Sequence, residues 1–137
     1  MSSAHTVATE AVVAHTLRKH LPGLRLVLLY GSRVYPENPG IRADSDWDIA
    51  ACSVPTATPD LIAGAQLALW RMGAFNLVDP FWSASAPLLR EIVGHHRVLW
   101  QARVGDHDDF LMRAMRVAQD QFEREERLRT TPARAQG

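Results

Sequence analysis

Asp46 and Asp48 stand one residue apart in the stretch "SDWDIAAC", and Gly31-Ser32 precede them across a loop. Aspartate is depleted in strands, yet the apolar residues around this pair read as a buried strand. On a strand, residues two apart project from one face with Cα atoms roughly 6.5–7 Å apart. The two carboxylates therefore converge, while Trp47 and Ile49 turn to the opposite face to pack under a helix. Like charges so placed repel, and one of them resists ionising. A divalent cation offsets that cost: Mg²⁺ takes oxygen ligands and is commonly held by one or two carboxylates together with substrate phosphates. Gly31 lets backbone approach a phosphate, which the following N–H groups and the Ser32 hydroxyl can hydrogen-bond. Arg33 can add a charge-assisted contact. Asp79, the only acid in "FNLVDPFW", is the candidate third carboxylate, as a metal ligand or as the general base for an attacking hydroxyl. With two metals, such a site clamps the attacking and leaving oxygens of an in-line phosphoryl displacement.

The elements that must hold these groups have local signals. "LRLVLLY" (24–30) is a short apolar run ending at Gly31 and reads as a central strand; 45–52 reads as a second. Between them "VYPENPG" (34–40) is a loop by its two prolines and Gly40. "FNLVDPFW" (75–82) is a third strand that breaks at Pro80, and "RVLW" (97–100) a fourth. Residues 4–20 form a helix with Val7, Ala11, Ala14 and Leu17 on one face, ended by Pro22-Gly23. Thr58 caps a helix that Pro59 starts and Gly73 stops. Residues 85–94 make a short helix. Residues 106–129 make a last one, acidic at its start and rich in arginine at its end, as the macrodipole prefers. Its Leu111, Met115, Ala118 and Phe122 form a narrow apolar stripe, suited to packing on the same domain or to a partner. Strands alternating with helices predict an α/β domain.

The chain has 137 residues, which predicts a single domain with a real core. Formal charge is +0, so no basic field draws nucleic acid or a membrane. The single cysteine, Cys52, excludes an intramolecular disulfide and a CxxC metal site, and reads as a small core residue. No run approaches the roughly 18 apolar residues of a membrane span, and the first twenty residues lack a secretory pattern. The expected location is cytoplasmic.

"LYGSR", "SDWDIAA", "NLVDPFW" and "PLLREIVGHHRVLW", in that order over residues 24–100, resemble the minimal (MNT-type) nucleotidyltransferases, especially MntA-like antitoxins of HEPN/MNT toxin–antitoxin systems. The resemblance implies a DNA polymerase beta-like nucleotidyltransferase fold, an α/β mixed sheet of about four strands flanked by helices. It implies Asp46, Asp48 and Asp79 as catalytic and metal-binding residues, Gly31, Ser32 and Arg33 as nucleotide-binding ones, and Mg²⁺ (a two-metal site) with ATP as donor. AMP would pass to a protein hydroxyl, a tyrosine of a cognate HEPN RNase toxin bound as a hetero-oligomer, with pyrophosphate released. Residues 1–104 would be the minimal domain, 105–130 a C-terminal helix packed on it or on a partner, and 131–137 a flexible tail. Many relatives read GSrArG after the first strand; here Arg33 is followed by the longer, proline-rich "VYPENPG". Two alternatives stand beside this reading: a non-catalytic binding antitoxin acting through the last helix, and a small-molecule, aminoglycoside-type nucleotidyltransferase acting as a dimer.

Other features carry less. Asp44, Asp46 and Asp48 suggest a calcium loop, but its sixth and twelfth positions, Ile49 and Pro55, are not the required Gly and Glu. His95 and His96 show no metal spacing. Trp47, Trp70, Trp82 and Trp100 are expected in the core, with Phe81 or Trp82 a candidate lining for an adenine pocket.

Overall fold

A computed structural model describes residues 2–34, 46–73, 75–82 and 84–130. The elements run α1 (Ser2–His20), β1 (Leu24–Tyr30), a 3₁₀ turn (Gly31–Val34), β2 (Trp47–Ser53), α2 (Pro59–Trp70), β3 (Phe75–Val78), α3 (Ala86–Gly94), β4 (His96–Gln101) and α4 (Asp106–Thr130). The four strands form one mixed sheet in the order β3-β2-β1-β4. β1 pairs antiparallel with β2 and β4, and β2 pairs parallel with β3. This is the four-stranded α/β architecture predicted above.

β1 is central and buried on both faces, which is why it reads as an apolar run broken only by Arg25. Its odd residues Val27 and Leu29 join Ile49 and Ala51 of β2 under Val13 and Leu17 of α1 and Ala65 and Leu69 of α2. Its even residues Leu26, Leu28 and Tyr30 join Ala50 under Ile92 of α3 and Phe110 of α4. The sheet is thus a middle layer, and residue parity on the strands decides which helix pair a side chain meets.

Helix starts follow side-chain caps. Thr58 Oγ1 accepts from Leu61 N at 3.3 Å with Pro59 in the first turn, and Ser85 Oγ accepts from Leu88 N at 3.3 Å. α4 carries Asp106, Asp108 and Asp109 in its first turn and Arg127 and Arg129 in its last.

Four expectations need correction. β3 stops at Val78, before the predicted stretch ends, because Asp79 and Pro80 begin a turn: Phe81 N donates to Asp79 Oδ1 and Trp82 N to Asp79 O. On α1, Ala14 and Leu17 are buried as expected, but Ala11 is exposed and Val13 takes the inner position. On α4 the packed side is Phe110 and Ala114; Met115, Ala118 and Phe122 of the predicted stripe are exposed. Trp70 and Trp82 are not core: they are 58% and 66% exposed, whereas Trp47 and Trp100 are half-buried.

Candidate active site

β1 and β2 meet at the site in a fixed register. Tyr30 stands opposite Asp48, the last pair of the antiparallel ladder. Both are even residues, so both face α3 and α4, as do Ala50 and Cys52 further along β2. Beyond Tyr30 the chain turns at Gly31 with φ of +80°. A Cβ on Gly31 would stand 2.7 Å from Asp48 Oδ2. Glycine is required twice here, for the left-handed backbone and for the close approach of the carboxylate.

β3 brings a residue that the motif reading did not single out. The parallel register sets Asn76 beside Asp48. Asn76 Nδ2 donates to Asp46 Oδ2 at 3.0 Å and reaches Asp48 Oδ1 at 3.5 Å. One amide thus spans both carboxylates. Burial holds the Asp48 carboxyl above its ordinary 3.8; the Asn76 contact opposes this, and the charges of Asp46 and Glu91 add to it. Burial, then Asp48 and Glu91, push the Tyr30 phenol up to about 12, so it stays protonated at neutral pH.

Asp79 does not complete a three-carboxylate cluster. Val78 pairs with Ala50, so Asp79 lies a step beyond, some three residues or about 10 Å along the sheet from Asp48. It is 3% exposed, and its Oδ1 accepts from Phe81 N at 2.9 Å. Its nearer chemistry is with Cys52, whose thiol is pushed up to about 12 by burial and then by the Asp79 charge, with Arg113 opposing. Among the described residues no three His, Cys, Asp or Glu side chains gather as a metal cluster. Of the predicted Asp46, Asp48 and Asp79, the structure brings the first two together with the Asn76 amide and does not bring Asp79 to them. The reason is local: the strand ends at Val78, and Asp79 is spent on the turn that Pro80 imposes.

The other nucleotide-binding candidates divide. Gly31 is at the site. Ser32 lies in the 3₁₀ turn, with its side chain outside what the structure describes. The Arg33 guanidinium stacks 4.6 Å over the Trp47 ring, and Trp47 packs at 5.9 Å from Phe75 against the α1 and α2 side. Residues 35–45, Asp44 among them, also lie outside the described residues.

Asp46 and Asp48 fit a hard divalent cation. Their oxygens lie within 3.5 Å of a single nitrogen, so they converge on one small volume. Two carboxylates suit Mg²⁺ that shares its remaining positions with phosphate oxygens and water, and do not make an all-protein cage.

At the far edge of the sheet, His96 Nδ1 donates to Ile92 O at 2.8 Å, and its Nε2 meets His107 Nε2 at 2.7 Å. The pair joins β4 to the first turn of α4. Burial, and then His96, hold His107 below its ordinary 6.5, with Asp108 opposing. The unfolded chain therefore takes up a proton at a higher pH than the folded one, so stability is lost as pH falls below about 6.5 and the loss saturates below the lowered value. The melting temperature should fall between neutral pH and about pH 5.5, and His107→Gln should flatten that fall. An equal fall in both proteins would remove the pair as its cause. A cavity of about 460 Å³ lies at the other end of β2, lined by Arg25, Cys52, Ser53, Phe81, Phe110 and Arg113 among others, away from the carboxylate pair.

No protein-family model and no curated protein matches the sequence. Solved structures do. A chain of a toxin–antitoxin complex with AMP-PNP is 26% identical, with a TM-score of 0.67 over 89% of this chain and 97% of that one. A chain of a mutant MntA–HpeT toxin–antitoxin complex is also 26% identical over 89% and 97%, with a TM-score of 0.66. In that mutant, two aspartates two positions apart, the spacing of Asp46 and Asp48, are glutamates. A third, from a complex of tri-AMPylated Shewanella oneidensis HEPN toxin with MNT antitoxin, is 26% identical over 89% and 94%, with a TM-score of 0.64. The likeness read from the motifs is borne out: the chain is MntA-like, with the nucleotidyltransferase-like fold of these neighbours. Among the described residues no helix is long and apolar enough to cross a membrane.

Proposed function

We propose that this chain is a nucleotidyltransferase antitoxin that transfers AMP from ATP to a tyrosine hydroxyl of a cognate HEPN-type toxin in the cytoplasm. The observation that carries the reading is the convergence of Asp46 and Asp48 beside the left-handed Gly31 turn. It is supported by neighbours of the same fold, one crystallised with AMP-PNP and another in complex with a tri-AMPylated HEPN toxin. In the reaction the acceptor oxygen attacks the α-phosphorus, the bond to the bridging oxygen of pyrophosphate breaks, and the hydroxyl proton is lost.

Asp46 and Asp48 would hold Mg²⁺, which when bound neutralises phosphate charge and polarises the phosphorus. The chain's own contribution is placement. The ladder end at Tyr30 and Asp48 fixes the second carboxylate, Asn76 holds it to the first, and the Gly31 turn leaves open backbone beside them for a phosphate. Intact-mass measurement of the toxin after incubation with this chain, Mg²⁺ and ATP tests the reading. Gain of AMP with the wild type and none with Asp46→Asn is the expected result; equal gain with both would refute the assigned site.

A second reading, antitoxin action by binding alone, is favoured by one observation. Met112, Met115 and Phe122, at i, i+3 and i+10, share one side of α4 and are 60%, 68% and 59% exposed. They lie opposite the packed Phe110 and Ala114. An Asp46→Asn, Asp48→Asn double variant that neutralises the toxin at equal dose would favour masking by α4; one that fails while still co-purifying would assign neutralisation to transfer.

A further inference from the structure

We infer that Asn76 is the third group of the Asp46–Asp48 site, and that it limits this site to one divalent cation that enters with the nucleotide. The inference rests on reading the carboxylate pair as a cation and nucleotide site. Its ground is the sheet itself. β3 runs parallel to β2 and pairs Asn76 with Asp48, so the amide is delivered to the face and level of the carboxylates by backbone register, not by a flexible side chain reaching across. Asp46 is placed just ahead of β2, and Asn76 Nδ2 lies 3.0 Å from its Oδ2 and 3.5 Å from Asp48 Oδ1.

A neutral donor in this place has two consequences. Without a cation, two ionised carboxylates at this spacing repel; the amide offers each an N–H and offsets part of that cost. A third carboxylate here would add charge to the repulsion instead. With a cation, the site supplies two negative ligands in place of three, and an amide also carries an acceptor oxygen that can face the metal. Cation affinity in oxygen-ligand sites is tuned by the count of charged ligands. Two charges are enough to share a cation with triphosphate oxygens and too few to hold a pair of divalent ions alone. Asp79 does not supply the missing charge, because the turn at Pro80 carries it along the sheet.

The test is Mn²⁺ binding to the full chain, followed by electron paramagnetic resonance, with and without AMP-PNP, for wild type, Asn76→Asp and Asn76→Ala. The wild type should bind Mn²⁺ weakly alone and take one ion per chain with AMP-PNP. Asn76→Asp should bind Mn²⁺ in the absence of nucleotide at least about tenfold more tightly, and take a second ion with it. In chelator Asn76→Asp should melt below the wild type and recover when Mn²⁺ is added. Asn76→Ala, which keeps two charges, should bind Mn²⁺ alone no more tightly than the wild type. Two ions per wild-type chain, or equal affinity in wild type and Asn76→Asp, would overturn the inference. The stoichiometry is read without any acceptor, so failure of AMP transfer to the toxin would leave this result standing on its own.

Discussion

Asp48→Asn should fold, melt at or above the wild-type temperature, and lose about 10²–10³-fold in AMP transfer to the toxin. The stability half of this result follows from the surroundings of Asp48. Its carboxyl is held above 3.8 by burial and by Asp46 and Glu91. A carboxyl with a raised folded-state value binds its proton more tightly when folded. The stability it adds is present below the unfolded value and lost as pH rises through the folded one, so at neutral pH the ionised group costs stability. Asparagine keeps the shape, removes the charge, and leaves Asp46 with a neutral neighbour. The activity half follows because Asp48 is one of two carboxyl groups available to a cation between β2 and β3, and its replacement leaves Asp46 alone. Stability maintained while transfer falls is the signature of a group retained for chemistry at the expense of the fold. Unfolding midpoints at neutral pH and intact mass of the toxin measure the two halves. Transfer at the wild-type rate by a folded Asp48→Asn would remove Asp48 from the reaction.

The local signals were sufficient wherever one element announces itself. β1 matches its apolar run residue for residue, because a strand buried on both faces has no polar alternation to blur its ends. α2 and α3 start where Thr58 and Ser85 can cap them. The carboxylate pair was legible for a similar reason: a two-residue spacing on a strand places both groups without reference to any other element. What was hidden depends on pairing between distant segments. Asn76 is the one polar side chain in "FNLV", and parity alone assigns it to the face of Val78. Only the parallel register shows that this face and level are those of Asp48. Asp79 is the one charged residue of its stretch, and the position of its carboxylate, which accepts from Phe81 N next to the Pro80 turn, is likewise not readable from spacing alone. Trp70 and Trp82 were misplaced because large apolar side chains are inside more often than not, a tendency that says nothing about one tryptophan. On α4 the stripe is displaced by a residue: Phe110, before the predicted run, and Ala114 are the packed residues, Leu111 is half-buried beside them, and Met115, Ala118 and Phe122 face outward.

Gly31→Ala should damage transfer far more than it damages the fold. At φ of +80° an alanine sits in the left-handed region, at a cost of about 1–2 kcal/mol. Its new methyl would also lie 2.7 Å from Asp48 Oδ2, with Asp48 Cγ at 3.5 Å. The colliding atom is the end of a side chain, so the collision is relieved by rotating Asp48 and the domain survives. That rotation takes the carboxylate off the volume it shares with Asp46 and Asn76, and a displacement of about 1 Å at a reacting centre can cost about 10²-fold in rate. Gly64, within α2 and with nothing inside 4 Å of an added Cβ, supplies the contrast. Gly64→Ala should leave transfer unchanged and raise stability by about 0.5–1 kcal/mol, the helix-interior advantage of alanine over glycine. Denaturant unfolding and AMP transfer on both variants separate backbone strain from displacement of the carboxylate. Gly31→Ala that loses stability yet keeps full transfer would show that Asp48 reaches its working position without the space this glycine leaves.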